Sequence, residues 1–264
     1  MSFVDVLSTI SDEAIAQTLA NITDEQVVST LSKSHIDIHD ALILLSPKAI
    51  PHIETMARLA HERTVQQFGY TMQLFTPMYI SNYCDNGCVY CGYSHHSSIV
   101  REKLTMDDIE SEAQAIAKTG LEQVLVLTGE SKTCSPPSYI QSAVERLVKQ
   151  FSSVSIEVYS LTLEEYQSLV KAGADGMTMF QETYNPTLYK TLHPFGPKSD
   201  YEKRIDTPEL ACQAGFRVVN IGALMGLDEW HREAYKTMLH LQYLMQSYPD
   251  VELSVSVSYT HLTL

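Results

Sequence analysis

Basic residues are scarce in this chain: 18 Lys and Arg face 32 Asp and Glu, for a formal net charge of −14. That balance argues against an extended phosphate-gripping surface, so a small molecule is the expected substrate and nucleic acid is not. Long apolar runs are absent too. No stretch of about 18 apolar residues occurs, and Met1-Ser2-Phe3-Val4-Asp5 lacks the basic flank of a secretory signal. No membrane contact is expected, and the cytoplasm is the expected location. No Gly-x-Gly-x-x-Gly follows the first predicted strand, which removes the main dinucleotide-binding reading. Cysteines number only five and three are bunched, a usage that fits metal ligation in a reducing compartment better than a disulfide framework. Apolar residues are plentiful at 44% of 264, enough to fill the core of one large domain or two small ones.

The bunched cysteines organise the rest of the chain. In Asn82-Tyr83-Cys84-Asp85-Asn86-Gly87-Cys88-Val89-Tyr90-Cys91-Gly92-Tyr93 the thiols are separated by three and then two residues, with turn formers between them. Such a loop can curl around one metal centre, and thiolates select zinc or iron–sulfur clusters. A structural zinc site would take His95 or His96 as its fourth ligand. An electron-transfer [4Fe–4S] cluster normally takes four cysteines. No fourth sits at a matching spacing here, so three would leave one iron open to a ligand that is not protein.

Residues 1–70 read as a helical region without recognisable chemistry. Thr23-Asp24-Glu25-Gln26 is a capping box, and Ser46-Pro47 places a cap and a first-turn proline before another helix. Ile53, Ala57, Ala60, Thr64 and Phe68 form a stripe expected to cover the main domain, ending at Gly69. His35, His39, His52 and His61 are scattered and read as surface residues.

From Met72 onward strand and helix signals alternate. Strands are predicted at Leu74–Ile80, Val124–Leu127, Val154–Val158, Met177–Phe180, Arg217–Ile221 and Val251–Ser256, with helices between them capped at Thr105 and Thr162 and closed at Gly120, Gly173 and Gly215. Nearly continuous apolar strands alternating with helices imply a parallel sheet covered on both faces, as a (β/α) barrel or a doubly wound sheet. In a barrel every βα loop opens on the face that carries the cysteines.

Those loops hold polar groups. Loop two presents Gly129-Glu130, a glycine permitting close approach beside a carboxylate that can bind an ammonium. Loop three offers Glu157, whose facing is undecided. Loop four is Gln181-Glu182-Thr183-Tyr184-Asn185, suited to a ribose or an amino-acid head group, although Asn185-Pro186 is also a plain helix start. Arg204 sits one turn into the helix that opens at Asp200. Loop five, Ile221-Gly222-Ala223-Leu224-Met225-Gly226-Leu227, lets backbone lie flat against a planar group. Cys134 and Cys212 read as ordinary thiols.

The Cys84-x-x-x-Cys88-x-Tyr90-Cys91 pattern resembles the signature of radical S-adenosylmethionine (SAM) enzymes. The resemblance implies a TIM-type (β/α) radical SAM barrel at 71–256, about six βα units forming a partial barrel behind the N-terminal helical extension. It implies that Cys84, Cys88 and Cys91 hold a [4Fe–4S] cluster. Tyr90, Gly129, Glu130, Glu157, Glu182, Arg204 and Gly222 would contact SAM, with Gly129-Glu130 at its amino group and Arg204 at its carboxylate.

Further words narrow the resemblance to the 2-iminoacetate synthase family of tyrosine lyases: Tyr79-Ile80-Ser81-Asn82, Tyr90-Cys91-Gly92-Tyr93-Ser94, Gln181-Glu182-Thr183-Tyr184 and Ile221 to Leu227. The hydrogenase-maturation tyrosine lyase and a tryptophan lyase share several of them. The family implies cleavage of the Cα–Cβ bond of L-tyrosine to p-cresol and 2-iminoacetate for thiamine thiazole synthesis. Implied partners are a thiazole synthase and a flavodoxin- or ferredoxin-type electron donor. The family also continues after strand six into an arginine-rich segment expected to receive the substrate carboxylate. A complete enzyme is therefore expected to be about a hundred residues longer, reaching the eight units of a closed barrel, to be inactive as a lyase without them, and the tail 257–264 reads as non-native.

Overall fold

The structure, a computed structural model, describes residues 2–259. Within the segment 257–264, residues 260–264 lie outside the described residues. Five helices come first: α1 (Phe3–Ser8), α2 (Asp12–Asn21), α3 (Asp24–Leu31), α4 (Ile38–Leu44) and, after a 3-10 turn at Pro47–His52, α5 (Ile53–Phe68). The Thr23 capping box forms in full. Ser46 makes no side-chain cap, and Pro47 opens a 3-10 turn instead of an α-helix. Pro51 has no N–H to offer the carbonyl four residues back, so an α-helical ladder does not start there.

The stripe on α5 does not cover the main domain. Ile53 and Phe68 are 62% and 63% exposed, and the helix buries no residue completely. Met56, outside that stripe, packs on a small cluster of Ile22, Val27, Ile43 and Ala49. Residues recur at three and four along either side of this helix, so periodicity alone did not select the covered one. The covering is done by α1, α2 and α4 instead, through Phe3 and Leu42 among others.

From Thr76 the chain alternates: β1 (Thr76–Ser81), α6 (Met106–Ala117), β2 (Gln123–Thr128), α7 (Pro137–Leu147), β3 (Ser153–Glu157), α8 (Leu163–Ala172), β4 (Gly176–Glu182), α9 (Pro186–Leu192), α10 (Tyr201–Ala214), β5 (Val218–Met225), α11 (Trp230–Ser247), β6 (Glu252–Val255) and β7 (Ser258–Tyr259). Every pairing in the sheet is parallel and the strand order follows the chain from β1 to β6, with β7 also against β5. Sequential order is that of a (β/α) barrel; a doubly wound sheet would reverse at a switch point. The first strand starts at Thr76, later than the apolar run, and Leu74 and Phe75 are exposed ahead of it.

Each strand turns alternate residues to opposite faces. Met78, Ile80, Val124, Val126, Val154, Ile156, Met177, Met179, Val219 and Ile221 pack toward the helices in one large core. The opposite face is mixed rather than apolar: Tyr79, Leu127, Glu157, Phe180 and Glu182 line a cleft at the C-terminal ends of the strands. Strands that read as uniformly apolar are so on their helix-facing side.

Loop four is tied to α11. Glu233, 1% exposed, accepts from the Tyr184 backbone N–H (2.8 Å) and the Thr183 hydroxyl (2.9 Å). Burial raises its carboxyl to about 7, the hydrogen bonds opposing that shift. A raised folded-state value means that the protonated form is favoured by folding, so this contribution is complete below the ordinary carboxyl range and is lost as pH climbs through 7. Unfolding free energy is expected to fall by about 3 kcal/mol from this group between pH 4.5 and 7. Denaturant titrations at several pH values check it: Glu233→Gln should flatten that part of the profile, and an unchanged slope would refute the assignment.

Candidate active site

The cysteine loop leaves β1 and is pinned from several sides. The Gly129 N–H donates to Ser81 O (2.8 Å) and the Asp85 N–H to Glu130 O (3.0 Å), joining loop one to loop two. A Cβ on Gly129 would stand 2.3 Å from Tyr83 O, so only glycine permits this approach. From the segment before α10, Phe195 O accepts from the Gly87 N–H, and the Lys198 N–H donates to Asn86 Oδ1 at 2.8 Å. Arg101 donates to the carbonyls of Asn82, Tyr93 and Ser94. Asn86 is the hub, since its Nδ2 also donates to Glu130 Oε2 at 3.0 Å and to Cys84 Sγ at 3.7 Å.

The cleft has a volume of about 440 Å³, and Cys84, Cys88 and Cys91 all line it. Cys88 is buried, Cys84 half-buried and Cys91 exposed. Burial pushes the Cys88 thiol up to about 12, so its thiolate forms against a nearby cationic centre and not alone. Amide donors face two of the sulfurs, Asn86 Nδ2 at Cys84 and the Tyr93 N–H at Cys91 (3.4 Å). Among the described residues no three His, Cys, Asp or Glu side chains converge on a single-ion position. His95 and His96 do not join the sulfurs; both rings lie edge-on to Phe195.

Four charges line the same cleft. Arg204 Nη1 donates to Glu130 Oε1 at 2.8 Å, its Nη2 is 3.6 Å from Glu182 Oε1, and its Nε donates to Phe180 O at 2.9 Å. Lys198 Nζ lies 2.5 Å from Glu182 Oε1 and 4.0 Å from Glu130 Oε1. Burial would push the Glu130 carboxyl up, but the Arg204 and Lys198 cations and the Asn86 amide outweigh it and hold it below the usual range. Glu182 adopts φ 70°, the only described non-glycine residue with positive φ, where β4 and β5 slip register. That strained conformation turns its carboxylate into the cleft.

Sequence residues 78–241 match the profile of the radical SAM superfamily. The chain belongs to that superfamily. It is 37% identical over 89% of its length to the 2-iminoacetate synthases of Salmonella typhimurium and Escherichia coli, and it spans 62% of the length of each. Among solved structures it resembles HydG, a maturase of the [FeFe]-hydrogenase, with a TM-score of 0.90 and 28% identity over 97% of this chain and 59% of that one.

Radical SAM enzymes use a [4Fe–4S] cluster and SAM, and the residues fit both. Three thiols lining one cleft suit the cluster. A carboxylate clamped beside a guanidinium suits an amino acid's ammonium and carboxylate. Tyr90 is aimed by a histidine that sequence reasoning passed over: its hydroxyl lies 2.7 Å from His193 Nε2, whose Nδ1 bonds Tyr189 O at 2.8 Å. Nδ1 must be the protonated nitrogen facing a carbonyl, so Nε2 accepts from Tyr90. Burial, aided by Lys198, lowers His193 to about 4 and keeps it neutral.

The remaining sequence-derived positions divide. Glu157 faces the cleft, and burial raises its carboxyl above the usual range. Gly222 lies on β5 outside the cleft lining; a Cβ there would meet Ser256 O at 2.7 Å and the Phe180 ring at 2.8 Å, so its glycine is explained by strand and ring packing. Of loop four only Glu182 lines the cleft, since Thr183 and Tyr184 bond Glu233 and Asn185 caps α9. Cys212 packs in the main core and Cys134 lies away from the cleft lining. Lys198 and Asn86 were missed as site residues; the only sequence signal for Lys198 is a lone lysine between Pro197 and the Asp200 cap.

Proposed function

We propose that this chain carries the radical SAM barrel of a 2-iminoacetate synthase, a carbon–carbon lyase acting on L-tyrosine. The observation that carries this reading is the 37% identity over 89% of the chain to two such enzymes. The cleft supports it by joining a cluster-type cysteine loop to two carboxylates and two cations. Bound there, the cluster and SAM would use one electron from an external donor to supply a hydrogen-abstracting 5′-deoxyadenosyl radical; once hydrogen is lost from the tyrosine amino group, the Cα–Cβ bond would break to 2-iminoacetate and a 4-hydroxybenzyl radical, which a second electron and a proton would convert to p-cresol.

The chain's own residues do the holding. Cys84, Cys88 and Cys91 are the proposed cluster ligands. Glu130 is the proposed partner of the SAM ammonium, and Arg204, helped by Lys198, of its carboxylate. Tyr90, fixed by His193, is placed as a ring wall, and Gly129, Glu157 and Glu182 complete the contacts. Gly222 is proposed to shape β5 near the cofactor rather than to touch it. Leu127, Phe180 and Leu224 form the apolar side of the cleft and limit water around the reacting atoms. An external one-electron donor of flavodoxin or ferredoxin type is required by this chemistry, and a thiazole synthase is the proposed acceptor of 2-iminoacetate. A cytoplasmic location agrees with the need for a reductant; no helix among the described residues is long and apolar enough to cross a membrane.

A second reading, a hydrogenase-maturation tyrosine lyase, is favoured by the TM-score of 0.90 to HydG. Products separate the two. Anaerobic incubation with SAM, dithionite and tyrosine of the reconstituted protein, carrying the further C-terminal length that its 2-iminoacetate synthase relatives have, is expected to give p-cresol with 2-iminoacetate, trapped or hydrolysed to glyoxylate. Cyanide or carbon monoxide would select the second reading, and absence of p-cresol would reject both.

A further inference from the structure

Barrel lumens are ordinarily packed with branched apolar side chains, but beneath the SAM cleft this one is lined with hydroxyls and amides. A second cavity of about 260 Å³ is bounded by Gln123, Ser155, Thr178, Asn220, Ser254 and Ser256, with apolar neighbours, and Thr178 borders both cavities. Asn220 is the centre of the polar set. Its Nδ2 donates to Ser256 Oγ at 2.6 Å and to Thr178 Oγ1 at 3.4 Å, and its Oδ1 accepts from Ser254 Oγ at 3.0 Å. The amide is therefore fixed in orientation, while Thr178 Oγ1 receives only a long bond and keeps its own proton to donate.

Levels along β4 show what this floor serves. Glu182, Phe180 and Thr178 alternate on the lumen face, a charged mouth, an apolar band and a hydroxyl floor. Two residues of strand rise about 7 Å, roughly the length of a hydroxyphenyl side chain. Leu127 and Phe180 form the band, with Glu157 paired beside Leu127 as its one carboxylate. Below the charges assigned to SAM, a ligand with an aromatic middle and a hydroxyl end matches this order.

We propose that Thr178 and Asn220 form the subsite that receives the phenol hydroxyl of the substrate, making them specificity-determining residues for a 4-hydroxyphenyl amino acid. This rests on the aromatic amino-acid reading above. A site prepared to bond a hydroxyl discriminates against the analogue without it, because its polar groups are then left unpaired.

The test is binding, measured by calorimetry with saturating SAM and no reductant on the anaerobically reconstituted protein carrying the further C-terminal length that its 2-iminoacetate synthase relatives have. Wild type is expected to bind tyrosine about tenfold or more tighter than phenylalanine, the effect of one or two hydrogen bonds. Thr178→Val, which keeps the volume, and Asn220→Leu are each expected to bring that ratio close to one by weakening tyrosine and sparing phenylalanine. If Asn220→Leu loses iron or unfolds, Thr178→Val decides. A wild-type preference that both folded variants retain overturns the subsite while leaving the lyase reading intact. Wild type that binds neither amino acid overturns both.

Discussion

Arg204→Ala is expected to cost the folded protein roughly 3–5 kcal/mol and to weaken SAM binding about ten- to a hundredfold. The guanidinium side chain is 7% exposed and serves Glu130, Glu182 and Phe180 O together. Its removal leaves Glu130 buried with the Asn86 amide and a lysine 4.0 Å away. Breaking a buried pair costs more than the pair contributes, because an uncompensated charge remains behind. Urea titration and SAM titration of the reconstituted variant check the two effects separately. A double variant, Glu130→Gln with Arg204→Met, is expected to recover much of the stability and none of the SAM affinity. Wild-type SAM affinity in Arg204→Ala with iron content intact would reduce Arg204 to a structural ion pair.

Cys88→Ala is expected to abolish stable cluster assembly, with iron falling from about four atoms per chain to below one after anaerobic reconstitution. Cys88 is the buried member of the three, and its thiol resists ionisation unless a cationic centre compensates it. The two remaining thiols, one half-buried and one exposed, would hold a cluster weakly. Iron, sulfide and zinc analysis with the visible spectrum decides the point. One zinc per chain in the wild type, without iron-linked absorption, would end the enzyme reading.

Much of this was readable before any coordinates. The capping boxes at Thr23, Thr105 and Thr162 form as their residues indicate, because a cap is a contract among four neighbouring residues. The six core strands appear in order for a similar reason, since β-branched and apolar runs bounded by turn formers are local signals. Errors fell where two local readings were equally good. On α5 either side of the helix carried apolar residues at helical spacing, and only docking chose Met56. Loop four offered five hydrogen-bonding side chains, of which Glu233, some fifty residues away, claimed the Thr183 hydroxyl together with the Tyr184 backbone N–H.

The sequence by itself determined the pattern on which the proposed chemistry rests: three thiols separated by three and then two residues, a glycine–carboxylate pair after β2, and strands and helices in alternation. These are properties of residue type and short spacing, and they hold before the chain is packed. Tertiary structure decided which groups share the site. It turned Glu157 and Glu182 into the lumen, drew Lys198 between two carboxylates, set His193 behind Tyr90, and brought Gly222 close to Ser256 O and the Phe180 ring. The physical reason is that Asn86, Glu130, Lys198 and Arg204 are joined by hydrogen bonds across 44 to 112 positions of sequence. No local pattern records such a bond; closing the sheet's strands side by side is what brings its partners within reach.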